Sequence, residues 1–476
     1  MRKQLNRRQA RVLALGLLAL GAGPAAAVSI SSTGLGQVLL FPYYSARTAG
    51  GSPNTTIISL SNAGPIATVV GVSFLEGKAG KQVLGFNLFL APSQTWVAAV
   101  SPSASGGAQI STGSTACSDA GFAPQPIGGE GNPPPRLVPG VPVSFRNLAY
   151  VGDGVGNGLD RTLEGYVQVI EMATYLPGSQ TAIAITPVNG VATCATSAVT
   201  AQLEQQPPQG QLMGHAEIRN SLAGTAYAAE PTVLESFKAQ SNYTDTGTIR
   251  PTLSEADPIA VWTSPTQTIV ADFFTGHDAV SAVLMRDSLL NQFAIASFSQ
   301  QATDWIVTFP TKRHYVTTGF VQHPFQRSLT AFGACDDIAI TLPGFTPAPP
   351  GGLPAAVPAL CWATNAISFN STNLLGSANR FTLSVPAAVT DNWASVTFAQ
   401  TGVPAGVHVL TTDTATVIAP PGPPTSFSSM SFFGLPAIGF AARFSNYGVL
   451  PGGVNGKTTA TAPHKFSGVA YSTAIP

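Results

Sequence analysis

The sequence predicts a mostly β protein, built as two β-sandwich-like (immunoglobulin-like) domains with long Pro/Gly-rich loops and one short packed helix. Three observations point there. Short alternating apolar runs recur between clusters of Gly, Pro and Asn, while sustained helical periodicity is rare. The 476 residues include 48 Gly and 39 Pro but only 9% charged side chains, a turn-rich composition. Four cysteines, an even number, suit an exported chain stapled by disulfides.

Residues 1–27 read as a signal peptide that lies outside the fold. Arg2, Lys3, Arg7, Arg8 and Arg11 form a basic leader, Val12 to Gly23 is a short apolar run, and Ala25, Ala26 and Ala27 are the small residues a signal peptidase needs. The run falls short of the ~20 residues that span a bilayer, so no transmembrane segment is expected after cleavage. Arg7-Arg8 suits the twin-arginine route, although Ala10 stands where that signal prefers a large apolar residue. Without the leader's five cations, 17 Lys and Arg face 22 Asp and Glu, a net charge near −5. A surface so poor in cations argues against nucleic acid as a partner.

The first domain is expected over residues 28–250. Gln37 to Tyr44 and Thr56 to Ser61 have strand patterns, and Asn62-Ala63-Gly64-Pro65 is the turn after the second. Val70, Val72 and Phe74 line one face of a strand, Gly77-Lys78-Ala79-Gly80 reverses the chain, and Leu84, Phe86, Leu88 and Leu90 line the returning strand. Tyr166 to Ala173 is apolar on both faces, as expected of a strand between two layers. Met213 to Asn220 and Val233 to Phe237 complete this half.

The second domain is expected over residues 251–476. Asp278 is placed to cap a helix whose stripe is Ala282, Met285, Leu289 and Phe293, packed against the sheet that contains Trp305. In Asp304 to Val316, Trp305, Val307 and Phe309 alternate with Ile306 and Thr308, which puts three large apolar groups on one face of a strand. Pro310 cannot donate to a ladder and ends it. Ile338 to Leu342, Ala366 to Phe369, Phe381 to Val385, Trp393 to Phe398 and Ile438 to Phe444 continue the β pattern. Ser101 to Gly140, Pro343 to Pro358 and Pro420 to Pro424 read as loops.

Within-domain pairing favours Cys117 with Cys194 and Cys335 with Cys361, each tethering a Pro/Gly-rich loop. The closed segments would contribute about 4.5 and about 3.5 kcal/mol on a loop-entropy basis. No zinc spacing, GxSxG elbow, HExxH or Walker loop is present, so no catalytic residue, metal or cofactor is expected. The nearest approaches to acid–base pairs are His277-Asp278 beside Asp272, and His215 near Glu217; a helix cap and a strand-surface pair explain them equally well. Asp336-Asp337 supplies too few oxygens for calcium. Asn54, Asn242 and Asn370 head glycan sequons, which count little behind a bacterial-looking leader. Lys312, Arg313 and His314 form the densest cationic cluster, either a surface-binding patch or a solvated strand end.

The stretches Gly34-Leu35-Gly36-Gln37-Val38-Leu39-Leu40-Phe41-Pro42-Tyr43-Tyr44, Phe74-Leu75-Glu76-Gly77, Thr303 to Arg313 and Gly434 to Phe440 together resemble an uncharacterised family of exported proteobacterial proteins. The resemblance implies a surface or envelope location and carries no activity. The expectation is a secreted structural or adhesive protein of the cell surface, not an enzyme, with self-association or surface polysaccharide as its partners and the periplasm as the alternative location. The alternative function is a secreted carbohydrate-binding or carbohydrate-active protein that stacks sugars on Tyr43, Tyr44, Trp96 or Trp393.

Overall fold

Alternation along the strands sets which layers meet. In the computed structural model, residues 27–118, 137–194, 198–244, 251–343, 358–370, 372–386, 389–398, 408–451, 453–466 and 470–474 are described. Residues 1–26 of the leader, 119–136 of the first expected loop and 344–357 of the second lie outside them. The described chain is mostly β. Strands β1 (Val38–Ser45), β2 (Thr55–Asn62), β3 (Ala67–Glu76), β4 (Gln82–Leu90), β5 (Thr95–Pro102), β6 (Ala108–Thr112), β7 (Glu164–Tyr175) and β8 (Leu212–Asn220) make up most of two antiparallel sheets. In the first sheet β1, β7, β3 and β4 are consecutive neighbours, and in the second β6, β5, β2 and β8 are. Strand β6 lies inside the stretch expected to be loop from Ser101 to Gly140. Its Ala108 and Ile110 are buried in the core, which two apolar positions in a Gly-rich context do not announce.

The two sheets share one core. Leu39, Phe41 and Tyr43 of β1 meet Ile58 and Leu60 of β2 and Trp96, Ala98 and Val100 of β5. Tyr44 joins the same cluster as Tyr43 because the pairing of β7 with β1 slips between Gly165 and Val167, breaking strict alternation. The other face of β1, Val38 and Leu40, packs in a separate cluster with helix residues from the second half. The first sheet is therefore covered on both sides, which is why β1, β3 and β7 are buried along their whole lengths.

The hairpin β3–β4 turns at residues 77–81, and a buried carboxylate organises the turn. Glu76 accepts the backbone N–H groups of Lys78 and Ala79 at 2.8 Å and of Lys81 at 3.2 Å. Arg161 grips the same carboxylate at 3.0 and 3.2 Å and also reaches Asp153 at 2.8 Å, with its guanidinium 4.0 Å from the Tyr150 ring. Gly80 has φ +68°, and a side chain there would meet the Tyr166 hydroxyl 2.8 Å away, so only glycine fits. The first helix of note, α1 (Gln180–Ile185), is capped by Ser179 and lies near the Cys117–Cys194 disulfide, where Cys194 N donates to Ala184 O.

In the second half, helix α2 (Gly276–Leu284) is shorter than the apolar stripe suggests. Thr275, not Asp278, is its N-cap, accepting from Asp278 N. Met285 and Arg286 pair with Leu435–Pro436, and Leu289 and Phe293 belong to β9 (Ser288–Ala294), paired with the later strand Asp391–Thr397. Tertiary pairing claims the backbone that local spacing assigns to helix. Residues Ala279, Val280, Ala282, Val283 and Leu284 pack with Val38, Leu40 and Ile170 of the first sheet, not in the Trp305 cluster.

Strand β10 (Ala302–Thr308) lies between β11 (Thr364–Phe369) and β13 (Ile438–Leu450). Strand β12 (Asp391–Thr397) pairs with β9, and β14 (Val454–Pro463) is the terminal strand beyond β13. Trp305, Val307 and Phe309 share one cluster, as the alternation requires, while Ile306 points into the large core of the first two sheets. Cys335 is joined to Cys361, and no helix among the described residues is long and apolar enough to cross a membrane.

Candidate functional site at the Lys312–Tyr315 turn

Pro310 ends β10, and the chain folds into a single helical turn, α3 (Lys312–Tyr315), closed by Lys312 N to Phe309 O at 3.1 Å and His314 N to Thr311 O at 2.9 Å. A turn sends successive side chains in different directions, so the three cations do not form one surface. This corrects the surface-patch expectation. Lys312 is only 3% exposed; its Nζ donates to Asp336 Oδ2 at 2.6 Å and to Ala334 O at 2.5 Å, 5.4 Å from the centres of both the Phe309 and Phe325 rings. Burial pushes its pKa down, and Asp336 acts against that. Arg313 runs toward the β3–β4 turn, where NH1 donates to Gly80 O at 3.4 Å, and burial lowers its pKa as well.

His314 completes a different group. Its ring stacks on His277 of α2, with centroids 5.0 Å apart and planes 19° from parallel. The hydroxyl of Ser254, an exposed residue in the 3-10 turn Leu253–Glu255, lies 3.2 Å from His277 Nδ1 and 3.1 Å from His314 Nδ1. His277 Nε2 faces Asp278 Oδ1 at 4.0 Å. That oxygen accepts from Tyr315 Oη at 2.7 Å, and Thr275 Oγ1 donates to the other at 2.7 Å, so the carboxylate is held from two elements. Burial lowers the pKa of His277 against the pull of Asp278. Burial, with the charges of Arg313 and His277 adding to it, holds His314 well below the ordinary histidine value.

Other expected site residues are dispersed. His215 pairs with Glu230 at 2.6 Å on the surface, and Glu217 with Arg219 at 2.7 Å. Asp272 is the end of strand Thr268–Asp272, opposite Ile259. Asp336 is committed to Lys312 and to Gln326 N, and Asp337 accepts both guanidinium nitrogens of Arg327 at 2.8 Å, so neither is set out for calcium. Among the described residues no three His, Cys, Asp or Glu side chains converge to hold a metal ion. Asn54 is buried, with Nδ2 donating to Leu375 O, while Asn370 accepts from Val385 N. Tyr43, Tyr44 and Trp96 are core residues at 0%, 0% and 1% exposure and offer no face to a sugar; Trp393, at 44%, is open. No motif joins Ser254 to its partners, which lie 23 residues away at His277 and 60 away at His314.

No known protein family, curated protein or solved structure matches this chain.

Proposed function

We propose that this is an exported structural or adhesive β protein of the cell surface, which associates with copies of itself through the outer part of the β13–β14 ribbon. One observation carries the reading. Along β13 the side chains pass from a buried stretch, Ile438 to Ala442, to an exposed one in which Tyr447, Val449 and Leu450 stand 53%, 79% and 42% open, and β14 beside it is the last strand of its sheet. An exposed apolar ribbon of this kind offers a contact surface. Two disulfides accord with an oxidising, exported setting.

Sedimentation velocity across a concentration series is the test, run on the parent and on a Tyr447→Ser, Val449→Lys, Leu450→Ser variant. Concentration-dependent association of the parent, lost in the variant, is the expected result. Association that survives in the variant overturns the ribbon assignment. A monomeric parent that is retained by a polysaccharide resin favours the carbohydrate reading through Trp393.

A further inference from the structure

The hydrogen-bond geometry around Ser254 restricts where the protons of the cluster sit. A hydroxyl has one proton, so Ser254 donates to one imidazole and accepts from the other. The nearest charged group to His277 Nε2 is Asp278 Oδ1, at 4.0 Å; a proton on that nitrogen leaves Nδ1 as the acceptor of the Ser254 O–H. His314 Nε2 is buried without a partner. A bare lone pair leaves less unmet at that site than an N–H, so the His314 proton sits on Nδ1 and points at Ser254 Oγ. In this arrangement the hydroxyl is hydrogen-bonded to an imidazole whose other nitrogen lies 4.0 Å from Asp278, with a second imidazole N–H directed at the same oxygen.

Local structure does not require this arrangement. The turn Leu253–Glu255 is already capped by Thr252 and Glu255, each satisfying the other's end. Ser254 is exposed, so water would satisfy its hydroxyl equally well. From these contacts we infer that Ser254 is a nucleophile toward small carboxylic esters, with His277 as its general base and His314 as the donor to the developing oxyanion. In the first step Ser254 Oγ bonds to the carbonyl carbon and its proton passes to His277 Nδ1, while the carbonyl electron pair moves onto oxygen beside His314 Nδ1–H. Collapse breaks the ester C–O bond, and the leaving alkoxide takes the proton from His277. Water then attacks the acyl-serine by the same route, returning the proton to Ser254 and releasing the carboxylic acid. This activity goes beyond the structural role proposed above and does not rest on it.

The test uses the full chain with both disulfides formed, treated at pH 8 with an alkyl fluorophosphonate and followed by intact mass and peptide mapping. One adduct on Ser254 is expected, absent in Ser254→Ala and formed at least tenfold more slowly in His277→Asn. His314→Phe keeps a stacked ring and loses the donor, and is expected to slow p-nitrophenyl acetate hydrolysis while its thermal melt stays near the parent's. A folded parent with no adduct on Ser254, or a His277→Asn variant labelled at the parent's rate, overturns the inference. The parent result stands alone if a variant fails to fold.

Discussion

Along β10 the apolar side chains Trp305, Ile306 and Val307 are fully buried; a few residues later, in α3, Lys312 is buried as well while carrying a charge. The strand achieves this with whatever apolar surfaces lie on either side, Ile306 in one cluster and Trp305 and Val307 in another. The turn achieves it only with a designated partner, Asp336, which lies 24 residues on. Apolar burial is non-directional and scales with area, whereas a buried charge needs a matching group at hydrogen-bond distance. Depth therefore follows from local pattern in the first case and from tertiary structure in the second.

The largest effect that sharpens this contrast belongs to the strand. Trp305→Ala is expected to cost about 3–5 kcal/mol through lost burial and the cavity left behind. Urea unfolding measures it, and a variant that unfolds like the parent would break the assignment of β10 as central.

A smaller, pH-dependent effect tests the same rule at another buried charge. Glu171 has its pKa raised to about 7 by burial, against hydrogen bonds from Gly210 and Thr68, while its ordinary value is 4.5. A carboxylate raised on folding adds stability that is fully present below its unfolded pKa and is lost as pH rises through the folded one. Buried histidines act in the opposite direction. His464, lowered to about 4 by burial, costs stability as pH falls below about 6.5, because the unfolded state takes up the proton first. Glu171→Gln removes the first contribution only. Between pH 7 and pH 4.5 it is expected to lose about 3 kcal/mol relative to the parent, read from urea midpoints across that range. Parallel profiles for the two proteins would show that Glu171 is not desolvated in the folded state.

The smallest effect comes from a cation with no burial to resolve. Arg219 pairs with Glu217 at 2.7 Å but is 53% exposed, and Arg219→Ala should leave the thermal melt at the parent's midpoint. A lowered midpoint would mean that depth is not what separates the two kinds of cation.

What could be read from the sequence follows the same division. The hairpin β3–β4, the doubly buried β7, the faces of β10 and the cysteine pairs are local or nearly local patterns, and the structure places them as the residues suggest. Helix α2 ends before the apolar stripe does, because Leu289 and Phe293 keep a helical spacing while their backbone pairs with β12. The interior position of Lys312 is not legible locally, because nothing near it in sequence reveals Asp336. Ser254 carries no local signal because its partners come from α2 and α3, and Tyr43, Tyr44 and Trp96 look alike in sequence whether a sheet covers them or leaves them open.

The most direct measurement is a double-mutant cycle on Lys312 and Asp336 by urea unfolding. If α3 is interior, Lys312→Met leaves a buried carboxylate without its cation and is expected to cost about 3–5 kcal/mol, while Lys312→Met with Asp336→Leu returns to within about 1 kcal/mol of the parent or exceeds it. A Lys312→Met variant that loses less than about 0.5 kcal/mol, with no coupling to Asp336, would contradict the interior placement and return Lys312 to the surface.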